Sequence, residues 1–533
     1  MNLKMSKSNS MYVVFISIYA FMINWISGNL GVMPIDTFAF FDTGYSTLNG
    51  KYPIRDFWIF QGLLVDYLQA GFFFVFGSNW TAYIIHGSFF NILISVVAFF
   101  TFINLNLSKP YSFLYALSIA TLCYPVSGTP FAYQHSFVLS LISIFVICVA
   151  IKKQSNILFF ILPIIMLLSF LAQQTPSSYI NLVLIAFIIY HFISEKNLNN
   201  FKFFILGSLL SASSFFIFLI ITKTPFKDFI YQYILFPLTI GEARISNDSS
   251  AYTRLIDQIN FKRLVGNFKF IHLFFVMIIF TILKDIFSKS KKIKKSSITI
   301  CILILISTLL FIFHQLITAN QIFIFALIPI LAGFLHINLI DQDKKNYVKI
   351  LIIIVIAFST IKYHYRFNLD RKFMDLEKVN LEIALPASEL SPRLKNLKWI
   401  TPLDYSKNPK EEFVFLKKVI DLLKKDKRNK TIITHYQFFS LILDEDLNIL
   451  NRWYLDHNTH PTKNHKYFNY YKDFVNKNLA NNNVEVIYLV SFTEKEMTFD
   501  NIKVYFTEKC FKNNFLIENK LSYHEIINCN YKK

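Results

Sequence analysis

Long apolar runs separated by short polar breaks dominate the first two thirds of the chain. They lie near 12–33, 81–105, 111–126, 136–151, 157–172, 178–194, 201–222, 268–287, 297–317, 321–340 and 347–362. A bilayer core of ~30 Å needs about 20 apolar residues in a helix, so the pattern predicts about eleven transmembrane helices. From residue 363 the pattern becomes charged and mixed. There Glu411–Lys425 has helical periodicity, Lys430–Tyr436 and Val484–Val490 read as strands, and Tyr467–Leu479 reads as a helix. The expectation is a polytopic α-helical membrane domain over 1–362, followed by a soluble α/β domain over 363–533.

A different pattern fills 34–80, between the first two apolar runs. Phe38, Phe41, Tyr45 and Leu48 recur at helical spacing, as do Leu63, Leu64, Tyr67, Leu68 and Phe72. Each piece reads as a helix with one apolar face, lying along the membrane surface. The break Asn49-Gly50-Lys51-Tyr52-Pro53 is turn chemistry, and Pro34 marks the start of the first piece. Among the carboxylates of this loop, Asp36, Asp42 and Asp56 stand at a membrane edge.

Composition agrees with the pattern: 54% of the 533 residues are hydrophobic and 17% aromatic, with mean hydropathy +0.42. The net charge of +20 sits in short loops and in the tail, not on a stripe interleaved with stacking aromatics. Nucleic acid is therefore not the expected partner; membrane lipids and a phosphate-bearing substrate are. With a cytoplasmic N-terminus, the inner loops carry Lys109, Lys152-Lys153, Lys196 with Lys202, the 289–295 lysines and Lys344-Lys345. The outer loops at 127–135, 173–177 and 314–320 contain no Lys or Arg. The positive-inside rule then places the 34–80 loop and the C-terminal domain together outside the plasma (inner) membrane. Met1-Asn2-Leu3-Lys4 leads into an apolar run without a small-residue cleavage site, as in an uncleaved first span.

The order of features in this loop resembles the first external loop of the GT-C glycosyltransferases. These features are an Asp after the first span, a short helix, a Gly, the segment Pro53-Ile54-Arg55-Asp56 and a second amphipathic helix. The resemblance is sharp over about forty residues. It implies a GT-C fold and transfer of a sugar, hexose or pentose, from a polyprenyl-phosphate donor to a glycan, lipid or protein acceptor. Protein O-mannosyltransferases and the aminoarabinose transferase of lipid A are relatives of that kind. Many members carry Asp-Glu at the first position; this chain has Asp36-Thr37, which leaves the second carboxylate to Asp42 or Asp56.

Such a transfer needs a base for the acceptor hydroxyl and positive charge near the departing phosphate. Asp36 suits the base, and its structural alternative is a helix cap. Asp42, six residues on, falls on another helical face and reads as secondary. Asp56 reads as a supporting carboxylate or as a partner of Arg55 or Lys51. Arg244 and Arg254, then Lys262-Arg263, are candidate phosphate ligands, because a guanidinium grips two oxygens. Arg55, His135, His314 and Gln321 complete the substrate-binding candidates, within a set of polar span ends that includes Gly128-Thr129-Pro130, Gln173-Gln174, Gln315 and Asn320. No His/Asp/Glu spacing compels a metal, and a divalent cation is left open as cofactor. Cys123, Cys148 and Cys301 fall in or at spans, whereas Cys510 and Cys529 lie in the external domain, where a disulfide is open to them. The competing reading is a flippase or transporter, or a polymerase, of lipid-linked glycans. A transporter places charges in mid-span, and these spans hold almost none.

Overall fold

The computed structural model describes residues 7–195, 197–248, 253–287, 295–340, 346–454, 459–491, 498–506, 509–517 and 520–527. Every apolar run forms a helix. These are Lys7–Gly28, Trp80–Asn104, Lys109–Leu122, Ala132–Lys153, Asn156–Ala172, Gln174–Glu195, Leu198–Ile221, Lys269–Phe287, Lys295–Ile317, Leu327–Ile340 and Asn346–Tyr363. Among the described residues, seven helices are long and apolar enough to cross a membrane, and Asn156–Ala172 and the helix from Leu327 are shorter apolar helices. The chain is thus a multi-pass membrane protein. Ala132–Lys153 is buried on nearly all sides at the centre of the bundle. Leu198–Ile221 is peripheral and leaves Leu209, Ile217, Ile220 and Ile221 exposed. An all-round apolar helix with an outward leucine and isoleucine face is what lipid contact requires.

The segments predicted to be external gather at one end of the bundle. Arg55 Nη1 donates to Thr222 O at 2.9 Å, Gln174 Nε2 to Phe60 O at 2.9 Å, and Gln232 Nε2 to Ile54 O at 2.9 Å. The buried Arg371 guanidinium ties three of these segments together, donating to Leu30 O at 3.1 Å, Pro125 O at 3.1 Å and Ser127 O at 3.0 Å. Gly28 and Gly128 let two of the backbones touch, since a Cβ on Gly28 would lie 2.6 Å from Gly128 O.

Within 34–80 the structure corrects the expected pair of surface helices. The first piece breaks into a turn, Pro34–Thr37, and a helix, Phe41–Leu48, in which Phe41 to Thr47 are all buried. Its apolar face packs on the bundle while its polar face meets the C-terminal region, so the amphipathic pattern marks two protein contacts instead of a water boundary. Gly44 permits close approach to the next helix, Leu63–Phe76, because a Cβ there would come within 2.5 Å of Gln69. Leu63–Phe76 forms a helix, but the face it buries is Leu63, Val65, Asp66, Gln69, Ala70 and Phe73; of the predicted face Leu64, Tyr67, Leu68 and Phe72 are only half-buried, and Phe74, Val75 and Phe76 are exposed.

The C-terminal region builds a four-stranded sheet in the order Lys430–Thr434, Val486–Val490, Leu521–Ile527, Cys510–Ile517. The first pair is parallel and the others antiparallel. A parallel pair needs a crossover, and Phe468–Asn481 supplies its helix. Both parallel strands are buried along their length; Val486–Val490 is accordingly a continuous apolar run, whereas Lys430–Thr434 satisfies its polar side chains internally, Thr431 Oγ1 donating to Asn448 O and Lys430 Nζ to Asp426 O, each at 2.7 Å. Cys510 is disulfide-bonded; Cys529 lies outside the described residues. Cys123, Cys148 and Cys301 are free and buried.

This region grips the 34–80 loop along its length. Val32 N–H donates to Ile400 O at 2.8 Å and Trp58 N–H to Leu450 O at 2.8 Å. Trp453 Nε1 donates to Ile35 O at 2.7 Å. At the deepest point Arg452 pairs with Asp66, both fully buried, and donates also to Gln61 O at 2.5 Å. A buried charge without its partner is costly, so this pair fixes the register between the loop and the C-terminal region.

Candidate active site

The three candidate carboxylates have separate fates. Asp42 is buried, and its two oxygens accept the backbone N–H groups of Ser440 at 3.0 Å and Leu441 at 2.9 Å. It anchors the start of the short helix Phe439–Leu443. Burial pushes its pKa up to about 7, against the pull of the two amides. Asp56 accepts from Tyr52 N–H at 2.6 Å and from Arg55 Nη2 at 2.6 Å. Arg55 in turn reaches Gly50 O at 2.7 Å and lies over the Tyr52 ring at 4.6 Å, so the pair staples the turn between the two helical pieces.

Asp36 is different. It is the third residue of the Pro34–Thr37 turn, whose N-cap position is Met33, so Asp36 is not the cap. Its carboxylate accepts no hydrogen bond among the described residues, and the side chain is partly open to solvent. The turn beneath it is fixed by Trp453 on Ile35 O and by Thr37 Oγ1, which accepts from Met33 N–H at 2.9 Å. Burial first, and then the charge of Asp375, pushes the Asp36 pKa up to about 7. A carboxyl with that value is half ionised near neutral pH, where a general base works best.

Asp375 reaches this place through an irregular turn. Arg371 and Asp375, with φ of 49° and 54°, bracket the short 3-10 turn Lys372–Met374 in left-handed conformations. Arg371 is locked by its carbonyl partners, and Met374 Sδ accepts from Thr37 Oγ1 at 3.7 Å. The Asp375 carboxyl is itself raised by burial and by Glu377.

The same turn links the carboxylates to a polar cluster at the outer span ends. Phe373 packs on Phe131 and on Phe323, each with ring centroids 5.0 Å apart, and Phe323 packs on Tyr133 at 5.1 Å. Tyr133 stacks on His314 at 5.0 Å and 17°. Neither nitrogen of the buried His314 has a hydrogen-bond partner among the described residues, and the amide nitrogens of Gln315 and Gln321 are in the same position. Gln315 Oε1 is occupied, accepting from Ile322 and Phe323 N–H at 3.2 Å each. Arg244, in the last turn of Phe236–Ile245, lies within electrostatic reach of His314 and Tyr179. Unsatisfied buried donors at this density call for a ligand or water.

The other candidates lie elsewhere. Arg254 is exposed and paired with Asp257 at 2.9 Å. His135 is buried between His86, Nε2 to Nε2 at 2.9 Å, and the Phe131 carbonyl at 3.0 Å, so it acts within the packing. Lys262 and Arg263 fall in the exposed helix Phe261–Val265. No group of three or more metal-ligating side chains occurs among the described residues. Asp375 and Tyr133 escape a sequence reading. The only signal for Asp375 is a carboxylate shortly after the last apolar run, and Tyr133 looks like any interfacial aromatic.

No family model and no curated protein matches the chain. Among solved structures, it is similar to the Archaeoglobus fulgidus oligosaccharyltransferase in complex with zinc and sulfate. That match has a TM-score of 0.43 and 10% identity, over 90% of this chain and 68% of that one. It is also similar to the archaeal oligosaccharyltransferase AglB from Archaeoglobus fulgidus with an inhibitory peptide and a dolichol-phosphate, at TM-score 0.45 and 10% identity, over 91% and 69%.

Proposed function

We propose that the chain is an integral-membrane glycosyltransferase of the GT-C kind. It would have eleven spans over 1–362 and a C-terminal domain over 363–533 on the outer side of the plasma membrane. It would transfer a sugar from a polyprenyl-phosphate donor to an envelope glycan, lipid or protein. The observation that carries this reading is Asp36, the one loop carboxylate not consumed by structural bonds, held beside Asp375 with a pKa near 7. Asp36 takes the proton of the acceptor hydroxyl as that oxygen attacks the anomeric carbon and the bond to the lipid phosphate breaks. Asp375 keeps Asp36 basic by its own charge.

The leaving phosphate needs positive charge and donors. Arg244, His314 and the amides of Gln315 and Gln321 form such a group, connected to the carboxylates through Phe131, Phe323 and Phe373. Asp42 and Asp56 support the loop that carries Asp36. The test is transfer from a radiolabelled polyprenyl-phosphate sugar by membranes containing the chain. Label in an acceptor supports transfer; label that only changes side of the membrane supports the flippase reading.

A further inference from the structure

We propose that the groove at the end of the Leu63–Phe76 helix holds the headgroup of an anionic phospholipid of the surrounding bilayer, independently of the transfer site. The groove has a volume of about 600 Å³ and is lined by Phe76, Ser78, Asn79, Thr81, Pro392, Arg393, Lys395 and Asp444. That is within the range for sites that hold small molecules, about 300–1,000 Å³.

Two faces of different chemistry meet there. On one side Phe74, Val75 and Phe76 are 80%, 68% and 49% exposed at the end of an otherwise well-packed helix. Three consecutive apolar side chains turned outward, one turn before a membrane-crossing helix, belong in acyl chains. On the other side stand Arg393 and Lys395. The Lys395 ammonium has no ion pair among the described residues and is exposed. Arg393 donates to Leu441 O at 2.8 Å and pairs with Asp444 at 3.1 Å, which leaves guanidinium N–H groups for a further acceptor. The one carboxylate in the lining, Asp444, is held by Arg393 and by the Tyr45 hydroxyl at 2.8 Å, so the groove keeps a net positive charge.

The floor adds donor character. Asn79 caps Trp80–Asn104, accepting from Ala82 N–H at 3.0 Å, so the N-terminus of a 25-residue helix opens at the groove. Asn396 Nδ2 donates to Thr81 Oγ1 at 3.2 Å and joins the two walls. Apolar knuckle below and cations above match a phosphate ester whose tails enter the membrane.

Native mass spectrometry of the purified full-length chain in detergent tests this, with phosphatidylglycerol, phosphatidylcholine and inorganic phosphate as separate probes. Wild type should retain phosphatidylglycerol in preference to phosphatidylcholine. Lys395→Gln, at an exposed residue whose loss leaves the fold intact, should weaken phosphatidylglycerol retention about five-fold, corresponding to ~1 kcal/mol for a basic residue at a membrane surface. Adding Arg393→Gln should weaken it further. Phe74→Ser should weaken both lipids. Equal retention of the two lipids by wild type, or retention unchanged in Lys395→Gln, overturns the proposal. So does displacement by inorganic phosphate at equal concentration, which would mark a soluble-anion site instead.

Discussion

Asp36 and Asp375 show how two residues 339 positions apart acquire a joint property that neither has alone. Asp36→Asn keeps the shape of the turn and removes the proton acceptor. Transfer should fall about 100-fold or more at matched protein levels, and near-normal transfer would remove Asp36 from the mechanism. Stability should move the other way. The folded pKa of about 7 lies above the ordinary 3.8, so the ionised carboxylate opposes folding. Stability is lost as pH rises between those values and stays lower above them. The Asn variant should therefore unfold at an equal or higher temperature than wild type at pH 8. Asp375→Asn removes the neighbouring negative charge, which favours ionised Asp36. The acid limb of the pH–rate profile should shift to lower pH with much of the activity kept; an unmoved limb would show that Asp375 does not act on Asp36. The sequence alone points to Asp36 but not to its partner, because left-handed turns at Arg371 and Asp375 leave no periodic trace.

At the scale of elements, the helices were legible because lipid demands long uniform apolar runs, Val486–Val490 because burial on both faces makes it a short apolar run, and Lys430–Thr434 because its Thr and Ile residues are β-branched. The Phe41–Leu48 helix misleads for the same reason that its pattern is clear: two-sided polarity does not say whether the polar face meets water or protein. Its neighbour across the chain, the Ser440–Leu441 backbone, is 398 positions from Asp42. Reading Asp42 and Asp36 on one continuous helix also fails, since the helix breaks between Thr37 and Phe41. Their divergence survives that error, one carboxylate facing Ser440 and the other Asp375. Asp42→Ala should cost ~1–2 kcal/mol, by removing the acceptor for two buried amides, measured as a lower unfolding midpoint. Arg452→Leu should cost more, ~3–5 kcal/mol, because Asp66 would then be a buried charge with no counterion. Combining it with Asp66→Leu should recover most of that loss. A double variant as unstable as the single would mean that packing of the guanidinium on Phe40, 4.3 Å away, matters more than the charge pair.

For the whole molecule, the decisive feature is that the Asp36 loop, the 123–131 and 318–326 connections, the 223–248 segment and the C-terminal region all meet at one end of the bundle. Contacts such as Arg371 to Leu30, Pro125 and Ser127 make that grouping a property of the fold. Which compartment the end faces is a separate matter, decided by charge. Lys109, Lys152, Lys153 and Lys202 stand in the terminal turns of Lys109–Leu122, Ala132–Lys153 and Leu198–Ile221 at the opposite end, and in the sequence the basic run 289–295 leads into Lys295–Ile317. Translocating such loops opposes the positive-inside preference, so the site end should be external. A periplasm-active reporter fused after residue 400 should be active, and one fused after Lys295 inactive. Because the fold ties the C-terminal region to Asp36, the reporter at 400 reports the compartment of the carboxylate as well. The reverse order of activities would place the site in the cytoplasm, where the donor sugar would have to be presented on the inner leaflet, and the assignment of Asp36 to an outer-face transfer would fail with it.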